Sequence, residues 1–192
     1  KQFTAQASQT DTFQVNLRHY FLSNNRHLLN WLYVEHGIVQ TLIDQPVDDA
    51  LRGGVTIKTN ILDADDLDSV HTFMERTNVI QKIAQATKWA RLFGGAAILL
   101  ISDQDYTKPF NANKLTKDSR LEFRAVDMWE LARQEQAPLG ETSWEDPEFY
   151  VYYGHKIHKS HLFIIKGKEA PSMIRSMLRG WGMSEVARAV RS

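Results

Sequence analysis

The histidines of "HKIHKSH", residues 155–161, and the glycines of "RLFGGAAILLI", residues 91–101, are where this sequence could do chemistry. A glycine loop that cradles phosphate runs strand, glycines, helix, so that the helix amino end faces the anion. Here Gly94 and Gly95 follow a helical pattern and precede an apolar run. A phosphate there would meet the negative end of the helix dipole. Gly94 therefore reads as a helix stop, with Ala96 and Ala97 small enough for backbones to pack closely. "GWGMSE", residues 180–185, has Gly180-x-Gly182 after a helical stretch and no third glycine. It does not match Gly-x-Ser-x-Gly, so Ser184 is a poor nucleophile and Trp181 reads as a buried or interface residue of a turn.

In a strand, His155 and His161 share one face and His158 points to the other. The three do not converge on a metal, and zinc would need a fourth ligand. His158-x-Ser160 is half of the paired His-x-Ser/Thr signature of two-histidine phosphoesterases, which need one histidine as base and another as acid. His19, His27, His36, His71, His155 and His161 are not followed two residues later by Ser or Thr. "DADDLD", residues 63–68, opens like a calcium loop. It has no glycine at the sixth position and Met74 where the bidentate glutamate belongs, so helix capping explains it better. No catalytic residue, metal ligand or cofactor site is expected.

A chain of 192 residues, 43% apolar and 24% charged, is long enough for a substantial core and ordinary for a globular protein. Lys plus Arg equals Asp plus Glu at 23 each, so the basic excess of a freely binding DNA protein is missing. Cysteine is absent, which excludes disulfides, thiolate nucleophiles and cysteine-ligated zinc and fits a reducing compartment. The longest apolar run, Ala96–Ile101, falls far short of the ~20 residues of a spanning helix, and no membrane association is expected. Residues 1–25 read as a flexible polar arm without the apolar centre of a signal peptide.

The elements that must position these residues follow from periodicity. Leu28, Leu32, Val39, Leu42 and Ile43 form a helical stripe with a break near Gly37. Pro46 should end that helix and begin a short one, "PVDDALR", stopped by Gly53 and Gly54. "VTIKT", residues 55–59, looks like a strand. Leu67, Val70 and Met74 mark a helix capped by the preceding acids. Thr77 should cap another over 78–93, with Ile80, Ile83, Ala84, Thr87 and Ala90 inside and Lys88 and Arg91 near its carboxyl end. "LEFRAVDMWEL" alternates as a strand. "FYVYYGHKIHKSHLFIIKG" reads as two strands with a turn at "YGHK" or a longer hairpin. The last 22 residues start and end helical, with no stop signal before Ser192, as in a piece of a longer protein.

The order of these stretches resembles the tailed-phage portal protein family over roughly residues 26 to 192. "LIDQPVDDALRGGVTI" is similar to its Asp-x-Pro turn and Arg-Gly stretch. "ATKWARLFGGAAILLI" is similar to its helix ending in Arg-x-Phe/Tyr-Gly-Gly-Ala. "RAVDMWEL", "DPEFYVYY" and "HKIHKSHLFIIKGKEAP" resemble its middle section, with a His-x-Ser-Arg-like strand pair and a Gly-x-x-x-Pro turn. "RGWGMSEVARAV" resembles its Gly-Trp-Gly-x-Ser element. The positions that carry over are Asp44, Pro46, Arg52, Gly53, Gly94, Gly95, His158, Ser160, Trp181, Gly182 and Ser184. His161 departs from the pattern, where arginine is expected.

The resemblance implies an α+β wing-like domain over 26–192, truncated before the stem, and a structural rather than enzymatic role. It implies a dodecameric ring at one capsid vertex, in the virion and in the host cytoplasm during assembly. Its partners would be the terminase, capsid and head-tail proteins, and the double-stranded DNA that passes through. A piece without the stem should be monomeric or weakly associated. The competing readings are a phosphodiesterase or nuclease derived from or fused to a portal-like chain, and a plain interaction domain.

Overall fold

The computed structural model describes residues 24–59, 63–116, 119–133 and 147–189; the amino-terminal arm expected over 1–25 lies almost wholly outside them. The first helix, α1 (Arg26–Glu35), is opened by Asn25, whose side chain accepts the Leu28 N–H at 3.0 Å. It breaks at His36, which is extended (φ −116°, ψ 102°), and Gly37 starts α2 (Gly37–Leu51). The break expected near Gly37 is therefore present.

Pro46 corrects the sequence reading. It lies inside α2 rather than ending it, and "PVDDALR" begins no new helix. Its ring sits on the exposed side, while Ile43 and Val47 are buried on the other. The helix continues because the Leu42 carbonyl left free one turn back accepts from Arg91 instead. Gly54 (φ 72°) follows the helix end, with its N–H on the Leu51 carbonyl at 2.9 Å. The strand expected over 55–59 is also corrected: these residues join no sheet. A strand needs a neighbouring ladder as well as β-branched residues, and among the described residues no strand pairs with them.

Asp63 caps α3 (Ala64–Thr77) by accepting the Asp66 N–H at 2.9 Å, the capping role read for the acids of 63–68. Thr77 does not cap the next helix. Its hydroxyl donates back to the Phe73 carbonyl at 2.8 Å, and left-handed Asn78 (φ 50°) makes the joint to α4 (Val79–Phe93). The inner face of α4 is also rotated from expectation. Ala86, Ala90, Leu92 and Phe93 are buried, while Ile80, Ile83, Ala84 and Thr87 are half-buried.

After α4 comes β1 (Gly95–Ser102), the centre of an antiparallel sheet with β2 (Leu121–Asp127) on one side and β6 (Leu162–Lys166) on the other. A second antiparallel sheet holds β3 (Leu131–Arg133), β4 (Phe149–Tyr152) and β5 (His155–His158). Its hairpin turns at Tyr153 and Gly154, both at positive φ (45° and 85°), the two-residue geometry that suits strand twist. A 3-10 turn, Lys159–His161, passes the chain from β5 to β6. Two short helices, α5 (Ser172–Met177) and α6 (Val186–Ala189), close the described chain.

Ala86 and Ala90 of α4 pack on Ala96, Ile98 and Ala125 of the first sheet, where only small side chains let helix and sheet approach. Ala97, Leu99 and Val126 alternate onto the other face and join the main core with Leu29, Ile43, Tyr150, Ile157 and Trp181. The fold is α+β, helices segregated from two small antiparallel sheets. No helix among the described residues is long and apolar enough to cross a membrane.

Candidate functional site: a junction of three glycines

Gly94 ends α4 in the left-handed region (φ 96°), with its N–H on the Ala90 carbonyl at 2.9 Å. Its own carbonyl accepts two backbone donors from distant parts of the chain, Gly167 N–H at 2.9 Å and Gly182 N–H at 2.8 Å. Neighbouring backbone bonds fasten the same place: Met183 N–H to Lys168 O at 2.7 Å, Glu185 N–H to Arg91 O at 2.8 Å, and Met128 N–H to Gly95 O at 3.1 Å. The α4 terminus, the segment after β6 and the turn after α5 thus meet backbone to backbone.

Only glycine fits at this meeting point. A Cβ on Gly94 would run into the Gly182 carbonyl group, with its carbon at 2.9 Å. A Cβ on Gly167 would lie 2.7 Å from Gly94 Cα, and one on Gly182 would lie 2.5 Å from the Gly167 carbonyl carbon. Gly95 is needed for a different reason. The Trp181 ring lies on it, with Cδ2 2.9 Å from where a Cβ would stand. Trp181 is 4% exposed and tilts against Tyr150 at 6.4 Å between centroids, so it couples the glycine junction to the second sheet. Ser184 is fully buried, and its Oγ accepts the Val186 N–H at 3.2 Å at the start of α6.

This arrangement is no phosphate cradle. The N–H groups of Gly94, Gly167 and Gly182 all donate to backbone carbonyls, so none points at a ligand. It works as a clamp, since buried backbone groups must be paired and here the one Gly94 carbonyl pairs with donors from two other segments.

A second constellation ties α1, α2 and α4. Asp44 accepts the Tyr33 hydroxyl at 2.9 Å and lies 3.8 Å from Lys88 Nζ, which is 2.8 Å from Asp48. Burial, and then the hydrogen bond to Asp44, push the Tyr33 phenol up to about 12. Pro46 has no N–H for the Leu42 carbonyl, and Arg91 Nη2 donates to that oxygen at 3.1 Å. Arg52 pairs with Asp49 on the exposed surface, and Gly53 stands in open space; neither joins the junction.

His158 and Ser160 serve the 3-10 turn. His158 Nδ1 accepts the Ser160 N–H at 3.2 Å and shares a hydrogen with Ser160 Oγ at 2.7 Å. Ser160 Oγ also accepts the Phe110 N–H at 2.7 Å, and His158 N–H donates to Tyr106 O at 2.7 Å. Together they pin the loop after β1. The strand placement of His161 is corrected, because the 3-10 turn breaks the strand before it. His161 is buried against Tyr106 and Phe110, and its Nε2 donates to the Lys108 carbonyl at 3.0 Å. His155 stays exposed on β5. The three histidines therefore occupy three environments and share no ligand site.

The sequence reading did not single out Gly167, Tyr33, Lys88 or Arg91 as site residues. Gly167 opens the Gly-x-x-x-Pro turn, and Arg91 stands three residues before Gly94, so both were within reach. The model of the family described as phage portal protein matches residues 28–191. The chain belongs to the phage portal protein family. No curated protein sequence matches it. Membership gives the chain a structural role in the phage capsid, in a family that is generally not enzymatic. The portal match spans the glycine clamp, the Asp44–Lys88 contact and the histidine turn, so all three lie in the family's own part of the chain.

Proposed function

We propose that this chain is the wing portion of a dodecameric portal ring at one capsid vertex. There it lets double-stranded DNA in and out, receives the terminase during packaging, and later joins head to tail. The observation that carries the reading is the family match over 28–191. The clamp at Gly94, Gly167 and Gly182 suits such a part. It fixes three segments by backbone contacts alone, and a ring closes only when each subunit holds a constant shape. The equal numbers of acidic and basic residues also suit a passage through which DNA must slide, because every phosphate contact adds affinity.

The test is native mass spectrometry and electron microscopy of the protein as encoded, with antibody labelling of virions. The expected result is a closed ring and label at a single vertex. A protein that remains monomeric at high concentration, with no label on virions, would overturn the reading.

A further inference from the structure

Residues Val55, Thr56, Ile57 and Lys58 have the composition of a strand and yet make no hydrogen bond among the described residues. Val55 is 45% exposed, on the same side of an extended chain as Ile57. The same protein carries the opposite deficiency. Strand β6 is an edge of the first sheet, and Phe163 on it is 57% exposed beside buried Ile98, its partner on β1. The other long edges carry exposed charge within the strand, Glu122 and Arg124 on β2 and Lys156 on β5. Strand β6 carries exposed Lys166 only at its end, and its stretch from Leu162 to Ile165 is an apolar edge of the kind that templates another strand.

We infer that residues 55–58 add as a strand to the β6 edge of an adjacent copy of this chain, with Val55 or Ile57 covering Phe163. The inference rests on the ring reading for the adjacent copy and goes beyond it by naming both surfaces. A strand without a sheet and a sheet edge without a strand are two different patches. Their union is head-to-tail, the kind of contact that closes into a ring. Main-chain hydrogen bonds would supply the attraction, and the paired apolar side chains would set the face.

The chain has no cysteine, so introduced thiols report cleanly. Val55→Cys and Phe163→Cys variants are purified separately and treated with a short bismaleimide. Neither alone should cross-link, their mixture should give a covalent dimer, and the double variant should give a ladder of oligomers. In a strand, alternate N–H groups face one neighbour. Either Thr56→Pro or Ile57→Pro, placed in the double variant, should therefore lower the cross-linked yield about tenfold. The melting temperature should stay unchanged, since the segment makes no hydrogen bond among the described residues. Rings seen by electron microscopy with no cross-link in the mixture would overturn the inference and leave the ring reading intact. Equal yield from both proline variants would overturn it as well. A ladder without closed rings would support the strand contact and count against the ring reading instead.

Discussion

The guanidinium of Arg91 occupies the helical acceptor that Pro46 leaves empty. Proline at position 46 cannot bond the Leu42 carbonyl, and Arg91 Nη2 reaches that oxygen from α4 at 3.1 Å. What would be a weak point in α2 is thereby turned into a tie between two helices. Arg91→Met should destabilise by about 1–3 kcal/mol, because the carbonyl loses a charged donor. In a Pro46→Ala background the helix supplies its own N–H, so the same change should matter less. Urea unfolding of the four proteins forms the cycle. Equal losses in both backgrounds would show that Arg91 acts through packing alone.

The glycines give a graded series. Gly53 has open space and no positive φ, so Gly53→Ala should be neutral or slightly stabilising. Gly154 has open space but φ 85°, so Gly154→Ala should lose about 1 kcal/mol to backbone strain alone. Gly94 combines φ 96° with the Gly182 backbone, so Gly94→Val should lose more than the roughly 1–3 kcal/mol of strain. Thermal melts of the three order them. A Gly94→Val protein as stable as Gly154→Ala would mean that the three segments can separate cheaply.

Much of this fold was legible because its signals are local. Pro46 and Asn78 apart, the helix boundaries follow from the cap at Asp63 and the stops at Gly54 and Gly94. Three errors share a cause. Pro46 was read by its push on the residue before it and its fitness to start a helix, but Arg91, distant in sequence, bonds the carbonyl it leaves free. The segment 55–59 was read by composition, but a strand needs a neighbour. His161 was read by alternation along β5, but the 3-10 turn at Lys159 resets the period. The clamp itself was half visible. Gly94 and Gly182 were each noted, and nothing within either stretch says that one carbonyl receives donors from both Gly167 and Gly182.

Tyr33 should titrate late. Burial first, and then its hydrogen bond to Asp44, raise the phenol from 10.0 to about 12. A raised folded value means that the stabilisation is complete below pH 10.0 and is lost as the pH rises through about 12. The difference in phenolate absorbance between the native protein and Tyr33→Phe isolates this group. Asp44→Asn should bring its midpoint down, since the carboxylate contributes both a hydrogen bond and a charge. A Tyr33 midpoint that ignores Asp44→Asn would show that this hydrogen bond does not link α1 to α2 in solution.

His161 should make the protein sensitive to mild acid. Burial, the largest influence, pushes its pKa below 6.5, and His158 nearby works in the same direction. The Lys108 carbonyl and Asp105 oppose it. Its Nε2 already donates to Lys108, and Nδ1 is buried without a hydrogen-bond partner, so a second proton would sit unpaired between Tyr106 and Phe110. The folded value lies below the unfolded one, so the unfolded chain takes up the proton first as the pH falls. The stabilisation is full above pH 6.5 and drains away as the pH drops through the lower folded value. Urea midpoints at about pH 7.5 and about pH 5 measure this. His161→Phe should flatten the dependence while keeping the aromatic packing. Chymotrypsin cleavage after Phe110 should rise in acid for the native chain more than for His161→Phe, because the loop after β1 is held at this turn and Phe110 packs on the His161 ring. An equal acid response in both proteins would assign the sensitivity to another group.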